Sequence, residues 1–419
     1  MKEARTASGS DPASSRPWLR RSIALGSGLA IATALALAFV PKLPGRASVV
    51  RFIRHLSSPD ALYADRAKYA VAWNPATAPP GHRHLPRFPI PESVSRQLFP
   101  VDESSPWDAL TYVKRLPNVD TSFKFAEHPG GSFRVRTNSL GMRENAEPMS
   151  ARPDLRILVT GDSHTEGVCN NVESFPHVLR RELAKAHPEK SIEVLNAAKG
   201  SFSFYNYLGT LEKFLYLEPD VFVVAVYGPN DFLDVVAPYH YFEGTPRKLG
   251  YAAYADVVEK MLELNPEWLA QDGLSLKFFQ HYPEEIRVAV QGAKAAVLDI
   301  EELCAAHGIQ LVFVYIPGMF DIDREKAVRD PSLVALSRTL YQALEIGPGD
   351  IEVHDRMGAE LMTFLTERGL PCVDVHRVFA GRTGRFYWLE DHHMDIDAHR
   401  AIGEALVPVV EGLRPKGLR

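Results

Sequence analysis

From about residue 155 onward the sequence predicts a doubly wound, three-layer α/β domain on a parallel sheet. Three observations predict it. Strand-like and helix-like patterns alternate through the rest of the chain. The segments 220–227 (Asp-Val-Phe-Val-Val-Ala-Val-Tyr) and 309–316 (Ile-Gln-Leu-Val-Phe-Val-Tyr-Ile) are nearly continuous apolar runs, the pattern of parallel strands buried on both faces. Turns rich in Gly, Asn and Asp follow three of the strands, at the sheet edge where open α/β folds place their ligands.

The N-terminal elements come first in chain order. Residues 1–21 are polar, rich in Ser, Ala and Pro, and read as a disordered tail. Residues 22–40 form a chargeless run rich in Ala and Leu, preceded by Arg16, Arg20 and Arg21. Its length sits at the lower end of what spans a bilayer as a helix. Positive charge before such a run keeps the N-terminus in the cytoplasm and puts the rest of the chain outside it. An uncleaved signal anchor is the first reading, because the run is longer than a signal-peptide core and no small-x-small cleavage site follows. A cleaved signal peptide and a buried helix of a soluble domain are the alternatives. Residues 41–150, rich in Pro, Arg and aromatics, read as a linker and an irregular lead-in. Within it, 133–139 alternates like a strand and 140–143 reads as a turn.

The main domain is expected over 151–413. Its strands are expected at 156–160, 191–197, 220–227, 309–316 and 372–375. Helical periodicity falls at 174–186, 203–216, 284–307, 332–345, 355–368 and 397–412, with Gly308 as a stop signal for the third. Two insertions, 232–283 and 318–350, leave from the carboxyl edge of the sheet, where loops form pockets.

Composition narrows the function. A chain that is 46% hydrophobic and 24% charged has the means for a real core. A net charge of −5, with no Lys/Arg-rich run beyond the N-terminus, gives no sign of a nucleic-acid partner. Cys169, Cys304 and Cys372 are too few for a disulfide framework and lack CxxC spacing, which excludes a zinc ribbon. They read as packing residues, with Cys169 notable for its closeness to the motif described next.

The stretch 161–167 reads Gly-Asp-Ser-His-Thr-Glu-Gly, directly after the first strand of the sheet. A serine there becomes a nucleophile only with a base in reach and a group to orient that base. Near the C-terminus the chain supplies Glu390-Asp391-His392-His393-Met394-Asp395, just before the last helix. Asp391 can bond one ring nitrogen of His393 while the other faces Ser163. A tetrahedral intermediate also needs donors for its oxygen. The turns Asn196-Ala197-Ala198-Lys199-Gly200 and Gly228-Pro229-Asn230-Asp231 can offer the N–H near Gly200 and the Asn230 amide.

In this order the blocks resemble those of the SGNH, or GDSL-type, hydrolase superfamily. Gly161-Asp162-Ser163 is similar to its nucleophile block, 196–200 to its glycine block, Gly228-Pro229-Asn230-Asp231 to its Gly-x-Asn-Asp block, and Asp391-His392-His393 to its acid-histidine block. The resemblance spans about 155–412 and implies a flavodoxin-like sheet of strand order 2-1-3-4-5. It implies catalytic Ser163, Asp391 and His393, oxyanion donors at Gly200 and Asn230, and no cofactor or metal. There are two departures. The acid-histidine block is compressed to Asp391-x-His393, which leaves Glu390 as the alternative orienting acid, and the family's oxyanion glycine falls at Ser201 when counted from Asn196. The compressed block resembles the branch of membrane-associated polysaccharide O-acetylesterases and O-acetyltransferases.

The expectation is therefore an extracytoplasmic, membrane-anchored serine esterase or acyltransferase. Its substrate would be a small ester or an O-acylated, above all O-acetylated, glycan. A catalytically silent glycan-binding or assembly protein of the cell envelope is the alternative. A metal-dependent hydrolase using the acids and histidines of 391–399 is a weaker third reading. For the neighbours of the motif the plain readings are a capping role for Asp162, an exposed His164, a capping Glu166 and a structural His392.

Overall fold

The computed structural model describes residues 63, 66–70, 74–99, 105–245, 272–319, 341–342, 344–389 and 391–418. The expected tail at 1–21, the apolar run at 22–40, half of the 232–283 insertion and most of the 318–350 insertion lie outside these residues. Among the described residues, no helix is long and apolar enough to cross a membrane.

The lead-in holds a helix α1 (Glu92–Leu98) and two small antiparallel pairs. β1 (Trp107–Asp108) pairs with β2 (Tyr112–Val113), and β3 (Asp120–Lys124) with β4 (Ser132–Arg136). β4 buries alternate residues, Phe133 and Val135, as its sequence alternation predicts. The 140–143 turn contains Gly141 at φ +78, where a Cβ would meet the Arg115 carbonyl oxygen at 2.7 Å. From there the chain runs along the sheet: Arg143 N–H donates to Asn196 O at 2.8 Å, and Asn196 N–H to Glu144 Oε1 at 2.8 Å. The lead-in is thus docked beside the second strand of the main sheet.

The main sheet consists of β5 (Leu155–Thr160), β6 (Ile192–Asn196), β7 (Val221–Tyr227), β8 (Gln310–Ile316) and β9 (Cys372–Asp374). All neighbours are parallel and the order is β6-β5-β7-β8-β9, which is 2-1-3-4-5 within the domain. Every residue of β5, β6 and β7 is buried. Each buried Val, Leu or Phe there contributes about 1.5–3 kcal/mol relative to exposure.

Helices cover both faces. After α2 (Ser163–Glu166), α3 (Phe175–Ala186) packs with α10 (Ile396–Gly412) on one face. On the other lie α4 (Phe204–Phe214), α5 (Gly228–Glu243), α6 (Leu274–His281), α7 (Glu285–His307) and α8 (Pro348–Glu367). The short α9 (Val375–Phe379) follows β9 and packs with α10.

One expectation is corrected here. The 228–231 block is not a turn leading into an insertion but the first turn of α5, which runs on to Glu243. Pro229 in that turn needs no N–H partner, and Asp231 Oδ2 accepts the Tyr227 N–H at 2.9 Å, so the block starts a helix well.

Candidate active site

The Ser163 side of the site is built on the end of β5. Gly161 has no room for a side chain, since a Cβ would lie 2.0 Å from Thr165 Oγ1. Asp162 caps α2: its Oδ1 accepts the His164 N–H at 2.8 Å. Its Oδ2 accepts the Asn230 amide at 3.3 Å, which ties the β5 turn to the start of α5. Gly167 sits at φ +86, and a Cβ there would press on Cys169 Sγ and His399 Nε2. Arg143, fully buried, donates to the carbonyls of Glu166, Gly167 and Cys169. A residue of the lead-in therefore clamps the far end of the serine turn.

The His393 side is a closed turn before α10. Tyr387 bridges Met394, Trp388 N–H donates to His393 O at 3.0 Å, and Asp395 N–H to Phe386 O at 3.0 Å. Asp395 then caps α10 through the Ala398 N–H at 2.9 Å. Inside the turn, Asp391 Oδ1 accepts both the His393 N–H, at 2.9 Å, and its ring Nδ1. The expected orienting pair is formed at the short spacing. Glu390, the alternative acid, lies outside the described residues.

The two sides meet. The His164 ring, next in sequence to Ser163, lies 4.8 Å from the His393 ring between centroids. Ser163 Oγ and His393 Nε2 are buried atoms without a hydrogen-bond partner, and they share none with each other. With Nδ1 held by Asp391, Nε2 is the atom left to take a proton.

The charges fit this geometry. Burial works against a charged His393, but the Asp391 carboxylate outweighs it, with Asp162 and Glu166 adding, and its pKa rises above the usual value. Burial likewise opposes the charge on Asp391, yet His393 holds it well below the ordinary carboxylate range. Asp162 and Asp231 are both raised, chiefly by burial. Asp231 is held in place by Tyr207 Oη at 2.7 Å and the Tyr227 N–H at 2.9 Å.

Both expected oxyanion donors, Gly200 and Asn230, already give a hydrogen bond within the protein. The Gly200 N–H is engaged: it donates to Glu166 Oε2 at 2.7 Å. Burial disfavours the Glu166 charge, but Arg115 and Arg143 outweigh it and hold the carboxyl at about 2. An anion thus occupies the Gly200 peptide. The conformation that favours glycine falls one residue later: Ser201 has φ +76, in a turn closed by Phe202 N–H to Lys199 O at 3.0 Å. Left-handed backbone at a non-glycine costs about 1–2 kcal/mol. Asn230 also gives a hydrogen to a carboxylate, but an amide nitrogen carries two, so one remains for a substrate.

Four residues differ from the sequence reading or escaped it. His164 is not exposed; it is fully buried and stacks on Tyr227 at 3.6 Å. Glu166 does more than cap: it binds Arg115 and the Gly200 peptide. Arg115 and Arg143 come from the irregular lead-in, where no periodicity marked them. Cys169 is a packing residue, its thiol pushed up to about 12 by burial.

No protein-family profile matches the chain. No curated protein matches it. Solved structures similar to it include a lipase, Lip_vut3, from a goat rumen metagenome, with 14% identity over 60% of this chain and 95% of that one and a TM-score of 0.38. A GDSL-like lipase from Bacteroides thetaiotaomicron has 11% identity over 64% of this chain and 92% of its own, with a TM-score of 0.34. A lipase/acylhydrolase from Enterococcus faecalis has 16% identity over 62% and 96%, with a TM-score of 0.32. At this level of likeness the chemistry has to be read from the site's own atoms.

Proposed function

We propose that the chain is a serine-dependent ester hydrolase or acyltransferase with Ser163 as nucleophile, His393 as general base and Asp391 as its orienting group. One observation carries this: an Asp391-anchored imidazole presents an unpartnered Nε2 at the turn that bears an unpartnered serine hydroxyl. Catalytic hydrogen bonds are often long without substrate and close in the complex.

The reaction follows from those atoms. Ser163 Oγ attacks the ester carbonyl as its proton passes to His393 Nε2. Asp391 stays ionised and stabilises the imidazolium. The carbonyl oxygen takes the negative charge against the second Asn230 N–H and the Ser201 peptide. Collapse expels the alcohol, which leaves with the proton from Nε2, and an acyl-serine remains. Water, or a second hydroxyl in a transferase, then repeats the sequence in reverse.

The substrate we favour is an O-acyl, above all O-acetyl, ester of a glycan met outside the cytoplasm. The location rests on the apolar run 22–40 behind its arginines. The acetylated glycan rests on the compressed Asp391-x-His393 block, which resembles that of the polysaccharide O-acetylesterase and O-acetyltransferase branch.

A second reading, a catalytically silent glycan-binding protein of the same fold, draws on the engaged Gly200 and Asn230 donors. A fluorophosphonate probe separates the two. Covalent labelling of Ser163, with loss of p-nitrophenyl acetate hydrolysis by about 10⁴-fold or more in Ser163→Ala, is the expected result. An unlabelled Ser163, or full activity in the alanine variant, would remove the serine mechanism.

A further inference from the structure

We propose that His164, His392 and His393 form a binding site for a zinc-class divalent ion, and that the bound ion takes Nε2 of His393 away from Ser163. The second half rests on the serine reading above; the binding does not.

The three imidazoles come from two places in the fold. His164 stands in the first turn after β5, while His392 and His393 are neighbours in the closed turn before α10. Adjacent residues in an extended segment point apart, but here the two rings lie 4.1 Å apart between centroids. His164 lies 4.8 Å from one and 5.6 Å from the other. One ring nitrogen from each residue falls within 4.8 Å of the other two. All three are at most 2% exposed.

Imidazole nitrogen selects zinc, copper and nickel over the oxygen-seeking magnesium and calcium. Tetrahedral zinc at 2.0–2.1 Å from nitrogen needs ligand atoms about 3.3 Å apart, so the rings close by at most about 1.5 Å. The surroundings suit a metal. A ligating histidine characteristically gives its other ring N–H to a carboxylate, and His393 already does so to Asp391. Its Nε2 is unpartnered and buried. His164 is held flat against Tyr227, whose hydroxyl donates to Asp272 Oδ1 at 2.6 Å. A second cluster among the described residues, His84 with Asp299 and Glu302, differs. Both Asp299 oxygens accept backbone N–H groups and His84 Nε2 lies 3.0 Å from Glu302.

Because His393 Nε2 has one lone pair, a metal and the serine proton exclude each other there. The site is an off-switch for the ester chemistry, set by metal availability.

The full chain is loaded with Zn²⁺, desalted and assayed by elemental analysis, with affinity read by competition against a chromogenic chelator. One zinc per chain is expected. Asp391→Asn should weaken binding by about 10–100-fold, as loss of an outer-shell carboxylate does. His392→Gln should abolish stoichiometric binding, and Ser163→Ala should retain it. Cobalt loading of the unaltered protein should give the visible absorption of a four-coordinate site, a test that needs no variant. Zinc should inhibit p-nitrophenyl acetate hydrolysis over the concentration range of binding, reversibly with EDTA. No saturable zinc in the unaltered protein, or equal affinity in His392→Gln, overturns the site. Zinc binding in a protein that hydrolyses no ester leaves the site standing and sinks the serine reading instead.

Discussion

Arg156 and Glu193 at one edge of the main sheet, and Ser163 and His393 at the other, are buried polar groups held in different ways. At the amino edge, Arg156 and Glu193 form a buried ion pair between β5 and β6, and Arg156 also reaches the carbonyls of Leu217 and Met149. Glu193 Oε1 takes the Met149 N–H at 2.6 Å, and Asp220 Oδ2 takes the Arg156 N–H at 2.8 Å. Charge is paired there and its hydrogen bonds are made. At the carboxyl edge of the same strands, Ser163 Oγ and His393 Nε2 are buried with no partner, and Ser201 sits in left-handed backbone. An unpaired buried polar group costs about 1–3 kcal/mol. The contrast separates polar groups that hold the fold from the polar groups that meet the substrate in the proposed reaction.

The sharpest way to break that contrast is at Asp391. Asp391→Asn should lower kcat by about 10⁴-fold, because the amide no longer fixes the base in the proton-accepting form. The pH dependence follows the same link. The His393 pKa is raised, so its proton must leave before it acts as base, and activity should fall as pH drops through a midpoint above 6.5. Because the charged form is the one favoured on folding, His393 contributes stability that is fully present below about 6.5 and is lost as pH rises through the folded value. In Asp391→Asn the acid limb measured on p-nitrophenyl acetate should move down in pH. An unmoved limb would mean that another group is the base.

The amino edge should answer in stability alone. Glu193→Ala leaves Arg156 buried without its carboxylate and should destabilise by about 3–5 kcal/mol in urea denaturation. The kcat of the folded fraction should not change, since neither residue lies at the carboxyl edge. A comparable fall in kcat would erase the distinction between the edges.

Asn230→Ala should cost about 10²–10³-fold in kcat with KM little altered, the effect of losing one oxyanion donor. A loss confined to KM would place Asn230 in ground-state binding instead, and its bond to Asp162 would then be its main task.

How far the sequence revealed this molecule depends on the range of the forces involved. β7 and β8 were legible because a strand buried on both faces must be apolar throughout, and their parallel order followed from the helices between them. The Asp391 and His393 pair was legible because both residues lie in one short turn. The buried state of His164 was not, because its partner Tyr227 belongs to another strand and becomes a neighbour only when β5 and β7 pair. Arg115 and Arg143 were hidden for the same reason: they act on the serine turn from a segment without periodicity. The 196–201 turn was legible in part, since the count from Asn196 pointed to Ser201. Gly200 carries the residue type, but Ser201 carries the conformation, and φ is a property of the folded turn.

The smallest expected effect tests that turn. Glu166 is held ionised by Arg115 and Arg143 down to about 2, so its charge faces His393 at every working pH. A glutamate whose folded pKa is depressed contributes stability that is present above about 4.5 and lost as pH falls toward the folded value. Glu166→Gln should remove that contribution, so the variant should lose less stability than the unaltered protein when taken from pH 5 to pH 3. It should also shift the acid limb of the rate profile down by a fraction of a pH unit, because one of the charges favouring the protonated His393 is gone. The amide can still accept the Gly200 N–H, so kcat at pH 8 should change by no more than about threefold, a change of under 1 kcal/mol. A rise in kcat well beyond that would show that the Glu166 charge opposes the oxyanion and that the Gly200 peptide belongs to the hole after all.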